Sequence, residues 1–367
     1  MIIEIRYENY RSMKNKTVFD LRAESICEFR DSVLKWNRNK TDEYHVLPLK
    51  IVYGQHECGK TNLFLGLQTL KDLILSGSLS MAFHKSYHEL VFQDLPNKPI
   101  SLGATFLCGN KLISYDVSFT QKEIVYELLH VNCCAIFERH FQSVKLSKTN
   151  KAMEYMDESR ASSLEVNEKQ CNPYPANSLF LSTGLGAFIA PTLVNEIQEY
   201  LYKKVFISIS TYELLSQNLH LENKREIHEL FTQLHMQDVL SQKRPLSSGM
   251  IRFINLSDLV FQAIKQNASM FIDGMSDGLN PTLVMPLLTN LHEKSNTRSQ
   301  VIFNTHNPVY LEKQFIRRDE ITFMTKDHDT TYLKSLLGYA NRENNYLRKY
   351  LNGDYETIPV VNFKSFS

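Results

Sequence analysis

Four short stretches place residues capable of chemistry at the edges of apolar runs. The first, "GQHECGKT" from Gly54 to Thr61, fits G-x-x-x-x-G-K-[ST] and follows the apolar "KIVY". Glycines in such a stretch let backbone N–H groups fold around phosphate at a helix N-terminus. Lys60 is then placed to reach the β- and γ-phosphates of a nucleotide, and Thr61 to ligate Mg²⁺. Gly54, Gln55, Gly59 and Asn62 complete this cofactor-binding stretch. Glu57 is an acid within an anion-binding loop and is expected to point outward. The second stretch, "MFIDG", ends an apolar run at Asp273, where a carboxylate can hold Mg²⁺ through water. The third, "SQVIFNTHNP", reaches His306. That histidine either senses a γ-phosphate or is structural, the commoner role of a lone histidine at a strand end. The fourth, "RPLSSGMIRFINL", sets Ser247, Ser248 and Gly249 before an apolar helical run. Alone it reads as a helix cap, since serine is favoured there.

The elements that must hold these residues are readable as periodicities. "MIIEIRYEN" alternates Ile3, Ile5 and Tyr7 with Glu4, Arg6 and Glu8, the pattern of a half-buried strand. "KTVFDLR" follows as a second strand. "VLPLKIVYG" is a dense apolar run ending in glycine and predicts a buried strand. "KTNLFLGLQTLKDLIL" then repeats leucines near helical spacing. From about residue 100 to 148, short strands split by Gly-Asn and Gln-Lys turns predict an antiparallel meander. Residues 149–176 are polar, carry Pro173 and Pro175, and read as a mobile connection. Helical spacing returns in "PTLVNEIQEYLYKKV" and "ENKREIHELFTQLHM". "SMFIDG", "LVMPLLTNLHEK" and "SQVIFNTHNP" alternate strand and helix, which implies parallel strands with helical crossovers. The expected organisation is a split nucleotide domain, residues 1–95 and 240–367, enclosing an inserted region, residues 96–239.

The chain has 367 residues, with 41 Lys plus Arg against 40 Asp plus Glu, a net charge of +1. No global field favours nucleic acid or an anionic membrane, although a local basic patch stays open. No apolar stretch reaches the length of about 18 residues needed to span a bilayer, and charges at Glu4, Arg6 and Glu8 exclude a secretory signal. The six cysteines lack metal-ligand spacing and read as free thiols of a cytoplasmic protein. No HxH, CxxC or clustered acid set suggests a nuclease metal centre, and His130, His140 and His235 are scattered. No repeat of 20–50 residues and no sustained heptad run is present.

The order GxxxxGKT, LSSG, apolar-Asp, apolar-TH resembles AAA-family ATPases with ABC-like heads, including the OLD and abortive-infection groups of bacterial phage defence. "IEIRYENYRSMKNKTVFDL" resembles their opening hairpin, and "YLKSLLGYANRENNYLRKYLNGDYETIPVV" their closing segment. The resemblance implies an α/β fold: a P-loop NTPase with an ABC-ATPase-like head, an antiparallel β flank and an inserted, mainly helical region. It implies ATP and Mg²⁺ as cofactors and a head-to-tail dimer. Ser247, Ser248 and Gly249 would then reach, in trans, the nucleotide held by Lys60 and Thr61 of the other copy. It also implies a separate effector, a nuclease or toxin, as partner. Two departures stand out. Relatives read Asp-Glu and then LHP, whereas this chain has Asp273-Gly274 and Leu279-Asn280-Pro281. Loss of a general base costs on the order of 10²–10⁴ in rate. The expected function is therefore an ATP-binding regulatory protein with weak or absent hydrolysis. Alternatives are a working ATPase using Asp277 or His306 as base, an SMC-like DNA-repair head, and a scaffold that has lost nucleotide.

Overall fold

Alternation in the first strand is realised side chain by side chain: Ile3, Ile5 and Tyr7 are buried, while Glu4, Arg6 and Glu8 are half-buried. The computed structural model describes residues 1–26, 28–37, 43–82, 87–147, 149–155, 174–184, 191–209, 224–237, 246–275, 278–293, 298–312, 316–339 and 345–357. Most of the connection expected at 149–176 lies outside the described residues, as does Asp277.

In chain order, β1 (Ile2–Glu8) and β2 (Thr17–Asp20) precede two short strands, β3 (Leu34–Asn37) and β4 (Glu43–Val46). The buried strand β5 (Leu49–Gly54) leads into helix α1 (Lys60–Ser76). Five strands follow: β6 (Ile100–Cys108), β7 (Lys111–Phe119), β8 (Ile124–Val131), β9 (Cys134–His140) and β10 (Ser143–Leu146). Helix α2 (Pro191–Lys204) runs into β11 (Val205–Ser208), then α3 (Lys224–Gln233) and α4 (Ser248–Gln266). Strand β12 (Ser269–Ile272), helix α5 (Pro281–Leu291) and strand β13 (Gln300–Asn304) form a crossover. Strands β14 (Ile321–Asp327) and β15 (Thr330–Ser335) and helix α6 (Tyr346–Leu351) come last, and short helical turns, among them Leu79–Ala82, Tyr87–Leu90 and Asn150–Met153, lie between the longer elements.

The chain forms two compact units. The first comprises Met1–Leu21, Asn37–Asp42 and Leu65–Val205. Its seven-stranded sheet has the order β10-β9-β8-β7-β6-β1-β2, and each pairing given for it is antiparallel. Gly103 makes room for an ion pair on this sheet. A Cβ there would stand 2.0 Å from Asp116 Oδ1, the atom to which Arg6 Nε donates at 2.7 Å. In its core, the buried Glu127 accepts N–H bonds from Phe180 and Leu181 at 2.8 and 2.7 Å, and the Tyr115 hydroxyl donates to it at 3.0 Å. That carboxylate fixes the 180–181 segment against the meander without leaving a buried charge unsatisfied.

The second unit comprises Arg22–Trp36, Glu43–Phe64 and Phe206–Ser367. Its six-stranded sheet has the order β11-β12-β13-β5-β14-β15. β12, β13, β5 and β14 run parallel, and only β14–β15 is antiparallel among the pairings given. All residues of β5, β12 and β13 are buried, as continuous apolar runs in a covered parallel sheet require. Ile51, Tyr53, Phe253, Ile272, Phe303 and Phe323 share one core; each such side chain contributes roughly 1.5–3 kcal/mol by leaving water. The fold is the mixed α/β P-loop architecture with a large antiparallel sheet expected above. The unit limits differ from a division at residues 95 and 240. β1 pairs with β6, Arg6 opposite Gly103, which groups the opening hairpin with the meander.

Candidate nucleotide site

Parallel register brings three strand ends to one edge of the second sheet. Ile272 pairs with Phe303, and Phe303 with Ile51. The residues just beyond, Asp273, Asn304 and the loop after Gly54, therefore emerge side by side. This carboxyl edge is where open α/β sheets bind ligands.

The loop after β5 is held from several directions. A Cβ on Gly54 would lie 2.5 Å from Cys58 Sγ and 2.6 Å from the Met324 carbonyl oxygen, so the turn admits only glycine there. The Thr331 hydroxyl donates to the Cys58 carbonyl at 2.7 Å. Gly59 has a φ of 100° and delivers the chain into α1 at Lys60. The first turn of α1 carries no acid, so its positive dipole end is not offset there. Lys60 is 9 % exposed, and its ammonium donates to the carbonyls of Gly54 and Gln55 at 2.9 and 2.7 Å. Gln55 sends its own amide to the Glu356 carbonyl at 3.3 Å and contributes its backbone to the loop.

A cavity of about 560 Å³ opens over this loop, within the size range of small-molecule sites. Gly59, Lys60, Thr61, Asn62, Asp273, Gly274 and His306 border it. Asn304, His56, Glu57 and Ile209 border it as well. Thr61 Oγ1 donates to Asp273 Oδ2 at 2.8 Å. Asn304 Nδ2 donates to Asp273 Oδ1, while Asn304 Oδ1 accepts from the Gly274 N–H at 2.6 Å. The Asp273 N–H donates to the Ser208 carbonyl on β11 at 2.9 Å. The Thr61 hydroxyl and the Asp273 carboxylate are thus adjacent hard oxygen donors. That set suits Mg²⁺, which takes one or two protein oxygens beside phosphate and water.

His306 is half-buried and stacks on His56, with ring centroids 4.2 Å apart and planes at 22°. Its pKa is pushed down to about 4, first by burial, then by the Lys60 charge and by His56. Near neutral pH it is a neutral imidazole at the cavity wall. The Tyr53 hydroxyl donates to the Asn307 carbonyl at 3.0 Å, and the Asn307 side chain caps the following turn through the Val309 N–H at 3.1 Å. Those contacts fix the backbone that presents His306.

Ser247, Ser248 and Gly249 do not border this cavity. The Ser247 hydroxyl accepts from the Met250 N–H at 3.3 Å and caps α4, while Ser248 is exposed. From the same helix, Arg252 Nη2 donates to the Gly274 carbonyl at 2.7 Å. Gly274 has a φ of 61°. Its N–H and carbonyl are both engaged, and it carries no side chain. Asn280 caps α5, its Oδ1 accepting from the Thr282 N–H and hydroxyl at 3.0 and 2.7 Å. Glu57, expected to point outward, is exposed and is among the residues bordering the cavity. The sequence signal for Asn304 was its place two residues before His306 at the end of an apolar run; Arg252 offered none beyond helical spacing.

Residues 206–312 match the family described as "AAA domain, putative AbiEii toxin, Type IV TA system". No curated protein matches the chain. Among solved structures, the SMC head domain from Thermotoga maritima aligns with a TM-score of 0.45 at 11% identity, covering 91% of this chain and 98% of that one. An SmcHead bound to the C-winged helix domain of ScpA aligns with a TM-score of 0.46 at 10% identity, covering 91% and 97%. Among the described residues no helix is long and apolar enough to cross a membrane.

Proposed function

We propose that this chain is an ATP-binding regulatory protein with weak or absent hydrolysis. It pairs head to tail with a second copy and signals its nucleotide state to a separate effector in a bacterial defence system. The backbone at Gly274 carries the reading: a left-handed residue with both polar groups engaged stands where a water-activating carboxylate would be needed. Lys60, Thr61 and Asp273 retain what binding requires. On phosphate entry, Lys60 exchanges two neutral carbonyl acceptors for anionic ones, which form stronger bonds. Thr61 and Asp273 would hold Mg²⁺, which would supply positive charge against the phosphates. Asn304 keeps Asp273 oriented through its amide. Ser247, Ser248 and Gly249 lie outside the cavity of their own chain, in keeping with a role towards the partner copy. The effector and defence role draws on the motif order and on the toxin–antitoxin wording attached to the family matched at 206–312.

Steady-state phosphate release measured beside ATP affinity tests this. Micromolar binding abolished by Lys60→Ala, with turnover far below the enzyme median of about 10 s⁻¹, is expected. Turnover of about 1 s⁻¹ or more that Lys60→Ala removes would overturn the weak-hydrolysis claim. A working ATPase is the second reading, favoured by one observation: His306 borders the cavity with an unprotonated imidazole near pH 7, although its lowered pKa makes it a weaker base than an ordinary histidine. His306→Ala would then abolish turnover while sparing binding.

A further inference from the structure

Glu57 occupies a strained and fixed place in the phosphate loop. Its φ of 62° lies in the left-handed region, which residues other than glycine, asparagine and aspartate seldom enter. The backbone on either side is pinned. Lys60 holds the carbonyls of Gly54 and Gln55, and Thr331 holds that of Cys58. Glu57 borders the cavity as part of this held loop, together with His56 and Gly59. Among the described residues, the charges bordering the cavity are Lys60, Asp273 and Glu57, with His56 and His306 stacked on each other there. Lys60 and Asp273 alone would balance. Glu57 turns the described part of the wall net negative, in a place whose ligand is expected to be a polyanion.

We propose that Glu57 sets a charge threshold for the site, disfavouring metal-free polyphosphate and admitting the magnesium complex. Binding is thereby coupled to the divalent cation more tightly than Lys60, Thr61 and Asp273 alone would make it. The inference rests on the nucleotide-binding reading above. Repulsion between Glu57 and the ligand scales with ligand charge, and a bound divalent cation removes two of those charges. The penalty therefore falls mainly on free nucleotide. Salt screens it, since the Debye length is about 8–10 Å near physiological ionic strength.

Equilibrium dialysis with labelled ATP, in Mg²⁺ and in EDTA, tests this on wild type, Glu57→Gln, Glu57→Gly and Lys60→Ala. Glutamine keeps the shape and removes the charge; glycine also relieves the left-handed backbone, and thermal melts confirm that each variant is folded. The expected result is about tenfold tighter binding of metal-free ATP in both Glu57 variants, a smaller gain for Mg·ATP, and loss of the difference at high salt. Equal affinities in wild type and Glu57→Gln, or an equal gain in both conditions, would overturn the threshold. Weaker Mg·ATP binding in Glu57→Gln would overturn it too, by showing that the carboxylate holds the cation itself. Lys60→Ala separates the two levels of inference. If wild type binds and Lys60→Ala does not, a null result at Glu57 refutes this inference alone. If wild type binds ATP under neither condition, both the threshold and the nucleotide reading fall.

Discussion

At the scale of single residues, Gly274 and His306 make opposite demands on the site. Restoring a carboxylate by Gly274→Glu looks like a simple repair, but the backbone opposes it. A φ of 61° with a side chain attached costs about 1–2 kcal/mol. The N–H bond to Asn304 and the carbonyl bond from Arg252 hold the residue in that shape. Gly274→Glu is expected to lower the thermal midpoint and to leave phosphate release at the wild-type level. A hundredfold rise in release would show that the missing acid is all the site lacks. For His306 the sign follows from its lowered pKa of about 4 against an ordinary 6.5. As pH falls through 6.5 the unfolded chain takes up the proton first, so native stability drops between about pH 6.5 and pH 4. Above that window the contribution is constant. In ligand-free protein, His306→Gln is expected to flatten this part of the stability profile, read as urea midpoints at successive pH values.

At the scale of elements, the site depends on strand register, and register explains which residues could be read from sequence. The loop from Gly54 to Thr61 is local: strand, glycines and helix follow one another, so its chemistry was visible in eight letters. Asp273 and His306 end apolar runs and were visible for the same reason. Asn304 ends the same run, but its bridge between Asp273 and Gly274 follows only from Ile272 lying opposite Phe303. The place of the opening hairpin was hidden by a similar cause. β1 pairs with β6 at a separation of nearly a hundred residues, and periodicity says nothing about such partners. Asn280 shows the reverse case. As a departure from a family pattern it suggested altered chemistry, whereas the structure gives it a local task as the cap of α5, ahead of Pro281 at the first helical position. Asn280→Ala is expected to cost about 1 kcal/mol in chemical denaturation, and Asn280→Asp to keep most of it. A loss on Asn280→Ala in ATP binding but not in stability would return the residue to the site.

At the scale of the whole molecule, the residues bordering the cavity lie within one compact unit, and Ser247, Ser248 and Gly249 of that unit lie outside the cavity. Head-to-tail pairing makes a prediction that no single-chain site can match. Each composite site would need Lys60 from one copy and Ser248 from the other. Lys60→Ala and Ser248→Arg are each expected to abolish ATP-dependent dimers, measured by light scattering after size exclusion. Mixed in equal amounts, the two variants behave differently. In the mixed dimer one site carries both lesions, while the other joins Lys60 of the Ser248→Arg chain to Ser248 of the Lys60→Ala chain and is intact. The mixture should therefore regain ATP-dependent dimers holding about half the nucleotide of wild type. If Ser248 instead served only its own chain, as the first residue of α4 behind the Ser247 cap, every chain in the mixture would keep its own lesion and no recovery would occur. Recovery thus places Ser248 across an interface, and its absence confines the serine to the first turn of α4 in its own chain.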